Sequence, residues 1–269
     1  RGRLRLRQQR DQGQAQNDCV ASHFRFHFTI NALIQGRMIS QTGEDRVFGR
    51  YAALRRLAAL VAVLLLCRIT LADVEKMLAT LQRHGGAPSV FRDWRQLIED
   101  SKPLGTQDKL RRVNEFFNRK IQFVDDIQVW GQTDYWATPI ETLAKARGDC
   151  EDFTIAKYFT LLDAGMSNDE MRLIYVKARI GGPASSVTQA HMVLAYYREP
   201  DAEPLILDNL ITDIRPASRR PDLLPVFSFN SQGIWSNPTA SGMPVSTGVG
   251  RLTRWQDLLN RAKAEGFEF

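Results

Sequence analysis

The sequence predicts an α+β domain. Helical periodicity fills the first half of residues 73–269, the period changes to two after Gly165, and the strand-like runs that follow are separated by Gly/Pro/Ser or Pro/Asp turns, the pattern of an antiparallel sheet. Helices are predicted over Asp73–Arg83, Phe91–Asp100 and Thr106–Arg119, the second ending before Pro103 and the third turning Leu110, Val113, Phe116 and Phe117 inward. A loop holding Trp130, Gly131, Tyr135 and Trp136 comes next, then a short helix that opens at Pro139 and stops at Gly148. From Cys150 to about Ala164 apolar residues wrap most of a helical circumference, which predicts a buried helix with Gly165 as its cap. Strands are expected at Met171–Ile180, His191–Tyr197, Leu205–Ile211 and Val226–Phe229. A Ser/Gly/Pro loop over 231–250 and an amphipathic helix over Leu252–Ala264 complete the chain.

Charge divides the 269 residues unevenly. Residues 1–72 carry twelve arginines against four acidic residues, so the formal +6 of the whole chain leaves 73–269 at −2. A nucleic-acid-binding domain would carry its own basic face, so that class is disfavoured. Arg55-Arg56 precede an eleven-residue apolar run, Leu57–Cys67, too short for a stable transmembrane helix but patterned as a secretory signal ending near Ala72. Residues 1–72 therefore read as a leader. Within it, 38–72 is expected to be the signal peptide and 1–37, which lacks periodicity, an over-extended translation start. The domain proper is expected over 73–269, in an exported compartment. Cys19, His23 and His27 have a metal-like spacing but lie outside any plausible core.

Downstream of residue 72 the chain holds one cysteine, Cys150, and two histidines, His84 and His191. A lone cysteine there cannot form an internal disulfide, and Cys150 falls at the first turn of its helix, where unpaired N–H groups and the macrodipole favour a thiolate. A buried structural cysteine, or one paired to another chain, is the alternative. His84 ends the first helix, where a cationic C-terminal cap explains it. His191 is expected at the mouth of a strand, and Asp208, among branched apolar residues in the next one, would need a partner. A hairpin turning between Glu199 and Pro200 sets His191 opposite Asp208. Cys150, His191 and Asp208 are thus the candidate nucleophile, base and orienting carboxylate.

Asp149, Glu151 and Asp152 surround the thiol and by themselves work against ionising it. Helix capping by Asp149 and Asp152 is the reading the residues alone favour; oxygen ligands for a hard cation such as Ca²⁺ are the other.

The run Trp136-Ala-Thr-Pro-Ile-Glu-Thr-Leu-Ala-Lys-Ala-Arg-Gly-Asp-Cys-Glu-Asp-Phe153, followed by Gln189-Ala-His191-Met-Val-Leu and Leu207-Asp208-Asn209, resembles the bacterial transglutaminase-like cysteine proteinases, closest to the LapG-type branch. The resemblance covers essentially all of 73–269 and implies a papain/transglutaminase-like core with Cys150, His191 and Asp208 as catalytic residues. It implies calcium binding by Asp149, Glu151 and Asp152, which reverses the preference for capping alone. It further implies a periplasmic endopeptidase whose substrate is a large repeat-rich surface adhesin cut near its N-terminus, releasing cells from a biofilm. The partner it implies is an inner-membrane cyclic-di-GMP receptor that sequesters the protease. Trp136 would supply an oxyanion donor or line the substrate groove, with core packing as its other role. A transglutaminase or amidase acting on another periplasmic amide, and a catalytically silent binding module, are the alternative functions.

Overall fold

The computed structural model describes residues 73–182, 184–235 and 252–269; the leader, the Cys19/His23/His27 spacing and most of the 231–250 loop lie outside them. Helix α1 (73–83) ends in a turn closed by Gly85 at φ 81° and a Gly86 N–H to Leu81 O bond of 2.8 Å. Helix α2 (Pro88–Ser101) starts at Pro88, earlier than its apolar pattern suggests, because proline suits a first helical position whose N–H has no partner anyway. It buries Phe91, Trp94 and Ile98. Helix α3 (Thr106–Lys120) turns Leu110, Val113 and Phe117 into the core, while Phe116 is only half-buried.

Between α3 and the cysteine helix lie the short helix expected from Pro139, which stops at Lys145 rather than Gly148, and elements that periodicity cannot reveal. Strand β1 (Gln122–Phe123) and the one-turn helix α4 (Asp126–Val129) occupy the predicted loop. Helix α5 (Pro139–Lys145) is started by a capping box between Thr138 and Glu141. It ends at Ala146, which takes the left-handed conformation at φ 51° and feeds β2 (Arg147–Gly148). Strands β1 and β2 pair in parallel, Gln122 with Arg147 and Phe123 with Gly148.

Helix α6 (Cys150–Asp163) lies in the core of the described domain: Ile155, Ala156, Tyr158, Phe159 and Leu161 are 0–1% exposed. Its end has the double closure of a Schellman motif, Gly165 N–H to Leu162 O at 2.8 Å and Met166 N–H to Leu161 O at 3.0 Å, with Gly165 at φ 83° as anticipated. The Lys109 ammonium adds a cation there, 2.7 Å from Ala164 O.

A 3₁₀ turn leads into β3 (Met171–Arg179) and β4 (Thr188–Tyr196), which pair antiparallel over their whole length. Strand β5 (Leu205–Leu207) is much shorter than expected and ends before Asp208. Strands β6 (Arg215–Pro216), β7 (Leu223–Phe229) and β8 (Ile234–Trp235) complete an antiparallel sheet in the order β6-β5-β4-β3-β7-β8. Leu173, Met192, Leu194 and Leu207 join the main core with α6, and Ile174, Val176, Val193 and Ile206 form a smaller cluster on the other face. Helix α7 (Thr253–Glu265) seats Trp255, fully buried, against Phe159 and Phe229. The architecture is the expected α+β, with the cysteine at the N-terminus of a buried helix on an antiparallel sheet.

Candidate active site

Cys150 opens α6 and is 8% exposed. Asp149 stands at the N-cap position but makes no side-chain cap bond, so the capping expected of it is not what holds it. The thiol lies 2.7 Å from Glu151 Oε2, to which it donates. Burial, reinforced by the Glu151 carboxylate, pushes the thiol far above its ordinary range, so this arrangement keeps the proton on sulfur. The main chain of Met192 acts in the opposite direction at the same sulfur. Helix and strand are joined here by Thr154, one turn below Cys150, whose hydroxyl donates to Met192 O at 3.0 Å.

His191 does not sit at the mouth of β4. The strand begins three residues earlier and His191 faces Val176 of β3, because the polar stretch Thr188–Ala190 still pairs with Lys177–Arg179. Its Nε2 lies 2.8 Å from Asp208 Oδ1, with both residues buried. The predicted register also shifts: Leu194 pairs with Leu207, so Asp208, just past the end of β5, follows on opposite Val193 and meets His191 diagonally. Asp208 Oδ1 accepts also from Leu210 N–H at 3.0 Å, and Oδ2 accepts from Arg220 Nη2 at 2.7 Å. Burial alone would raise the Asp208 carboxyl. The bond to His191 and its charge, with Leu210 N–H and Arg220, outweigh that and bring it down to about 2. Arg220 was not among the residues singled out from sequence, and nothing in the spacing of Arg219-Arg220-Pro221-Asp222 marks it. Lys157 is also buried close by on α6, and burial pushes it down to about 7, against the attraction of Asp208.

The acidic residues form two overlapping groups. Asp149, Cys150 and Glu151 make one; Asp126, Asp149 and Asp152 make the other, each with ligand atoms within 4.8 Å of one another. Asp126, from α4, is the member sequence spacing missed. Asp126 Oδ1, Asp149 Oδ1 and Asp152 Oδ2 are each buried without a hydrogen-bond partner, although Asp152 Oδ1 accepts from Ala137 N–H at 2.8 Å. Burial pushes Asp149 up to about 9, with Glu151, Asp152 and Asp126 adding to it, and pushes Asp126 up to about 6. Orphaned carboxylate oxygens in this number suit a hard divalent cation, whose charge would reverse that effect. Gly148 leaves the room: a Cβ there would come within 2.5 Å of Asp152 Oδ2.

Trp136 stacks on Phe229 at 5.7 Å between ring centroids and 17°, with its Nε1 buried and unpartnered. His84 follows α1, as expected of a C-terminal cap, with its N–H on Thr80 O at 3.1 Å; its Nε2 also lies 3.6 Å from Glu141 Oε1 and its ring packs against Trp130.

The family model described as "Bacterial transglutaminase-like cysteine proteinase BTLCP" matches residues 99–225. No curated protein sequence matches the chain. Among solved structures, LapG of Legionella pneumophila aligns with 37% identity and a TM-score of 0.58, covering 70% of this chain and 97% of that one. Its EGTA-treated form aligns with 39% identity and a TM-score of 0.59, at 70% and 97% coverage. The calcium-bound form gives 39% and 0.58, at 70% and 98% coverage.

Proposed function

Because the chain belongs to the bacterial transglutaminase-like cysteine proteinases and is a cysteine protease of the LapG type, we propose that it cleaves peptide bonds through a Cys150–His191–Asp208 triad in a calcium-dependent manner. The observation that carries this reading is the buried 2.8 Å contact between His191 Nε2 and Asp208 Oδ1, on a strand bonded through Met192 to the first turns of the Cys150 helix.

With Nε2 engaged by Asp208, Nδ1 is the nitrogen left to exchange a proton with the thiol. The Cys150 sulfur, having given its proton to His191, attacks the scissile carbonyl carbon; the electron pair moves to oxygen, and the tetrahedral oxyanion takes a hydrogen bond from the Cys150 backbone N–H. The Trp136 indole N–H, buried and unpaired, is the second candidate donor. Collapse breaks the C–N bond, the amine leaves with the proton from His191, and water cleaves the thioester with His191 as base. Asp208 keeps the ring oriented and stabilises the imidazolium. Asp126, Asp149 and Asp152 would hold calcium beside Glu151, and the ion would supply positive charge against the carboxylates that add to burial in raising the thiol.

The family resemblance further supports an exported, periplasmic enzyme acting on the N-terminal region of a large surface adhesin, with an inner-membrane cyclic-di-GMP receptor as its restraining partner and biofilm release as the outcome. The test is cleavage of an adhesin N-terminal fragment by wild type and Cys150→Ala, each in calcium and in chelator. Cutting by wild type alone, lost in chelator and restored by calcium, supports the proposal. Equal cutting by Cys150→Ala overturns the thiol mechanism, and indifference to chelator overturns the role of calcium.

A further inference from the structure

The two oxygens of Asp208 have different partners. Oδ1 is shared between His191 Nε2 and Leu210 N–H, whereas Oδ2 meets Arg220 Nη2 at 2.7 Å, with both side chains 0–1% exposed. Arg220 is itself fixed. Its Nε lies 3.0 and 3.2 Å from the two oxygens of Asp222 and its Nη2 2.7 Å from Asp222 Oδ2, so one edge of the guanidinium grips one carboxylate and presents the same Nη2 to a second. The loop carrying it follows a 3₁₀ turn, with Arg220 N–H bonded to Ala217 O and Leu223 N–H to Arg220 O. Asp222 O accepts from Arg179 N–H at the end of β3, tying the loop to the sheet.

Asp208 lies beyond the last residue of β5, so no ladder bond fixes its direction. Asn118 Nδ2 donates to its main-chain O at 2.8 Å and Leu210 N–H holds Oδ1 toward His191, while Arg220 holds Oδ2 from the other side. The charged groups around it are His191 on β4, Lys157 on α6, Arg220, and Asp222 behind Arg220. Of these only Arg220 is a cation in direct contact with the oxygen that His191 does not use.

We infer that Arg220 is a positioning residue of the protease: the Asp222–Arg220 fork clamps Oδ2 of Asp208 and thereby orients His191. This rests on the proposed triad. The plain structural alternative, a loop anchor that happens to touch Asp208, predicts lost stability with unaltered chemistry in the molecules that fold.

The experiment measures kcat and KM for cleavage of an adhesin N-terminal fragment across pH, in calcium, for full-length wild type, Arg220→Gln, Arg220→Lys, Asp222→Asn and Asp208→Ala. Arg220→Gln should lower kcat by about 10²-fold with little change in KM, the scale of a misplaced catalytic group. It should also move the acid limb of kcat/KM upward, because a carboxylate that loses its cation protonates at higher pH. Arg220→Lys keeps the charge and loses the fork, so it should lower kcat yet leave the acid limb near wild type. Asp222→Asn should shift both readouts in the direction of Arg220→Gln by less. A folded Arg220→Gln with wild-type kcat and acid limb overturns the inference. Should Arg220→Gln fail to fold, wild-type kcat and profile in both Arg220→Lys and Asp222→Asn overturn it instead. Asp208→Ala separates the two failures: if it keeps wild-type kcat the triad itself is wrong, and if it alone loses activity only the role of Arg220 is wrong.

Discussion

His191 and Asp208 touch across a diagonal of the sheet: Nε2 and Oδ1 are 2.8 Å apart although the β4/β5 register sets Val193, two residues on, opposite Asp208. A diagonal contact reaches further than a direct one, so it depends on how the carboxylate is turned. Asp208→Asn keeps the side chain's shape but removes the charge that favours the imidazolium. It is expected to lower kcat by up to about 10⁴-fold with unchanged far-UV circular dichroism. A loss under about tenfold would remove Asp208 from the triad.

Cys150→Ala is expected to reduce peptide cleavage by at least about 10⁴-fold, since no other thiol lies in residues 73–269. Intact-mass measurement during turnover gives a second check: wild type should accumulate a thioester adduct on the peptide containing Cys150, and the variant none.

Asp126 is the sharpest test of the cation cluster because it comes from a separate element, α4, and its carboxylate is hydrogen-bonded by Tyr135 N–H rather than by the thiol or His191. Asp126→Asn should weaken calcium binding at least about tenfold by titration calorimetry. Wild type at calcium near 100 times Kd should gain about 2.7 kcal/mol of stability, and the variant less at the same concentration. Equal affinities would remove Asp126 from the ligand set.

Glu265 provides a pH signature away from the thiol. Burial pushes its carboxyl up to about 7, opposed by a Thr138 hydrogen bond and reinforced by Glu141. A carboxyl raised in the folded state contributes stability that is complete below its unfolded value, 4.5, and is lost as pH rises through about 7. Wild-type Tm should therefore carry a decline between about pH 5 and 8 that is shallower in Glu265→Gln. Parallel Tm curves for the two proteins would refute the assignment.

The helices α3, α6 and α7 and the position of Cys150 were legible because periodicity, an N-terminal turn and Gly165 are local signals, readable within a few residues. His191 and Asp208 were legible as types that need partners, but not in register, since that is set by how far β4 extends below its apolar run. Asp126 and Arg220 were not legible. Asp126 reaches Asp149 only through the two-residue pairing of β1 with β2, and Arg220 reaches Asp208 only after its loop docks on β3. Both are long-range events that leave no periodic trace.

That β1–β2 pairing also bears on linkage. Its register, Phe123 beside Gly148, draws together segments more than twenty residues apart, and the chelating trio is assembled from the residues just beyond each strand. In the unfolded chain the trio does not exist, and closing so long a loop for one ion is entropically unfavourable. A cation held there therefore binds the native state almost exclusively, and its binding free energy is folding free energy. On the proposed calcium role, the ion concentration outside the molecule would then set how long each copy survives surveillance by other proteases, as well as how fast it works.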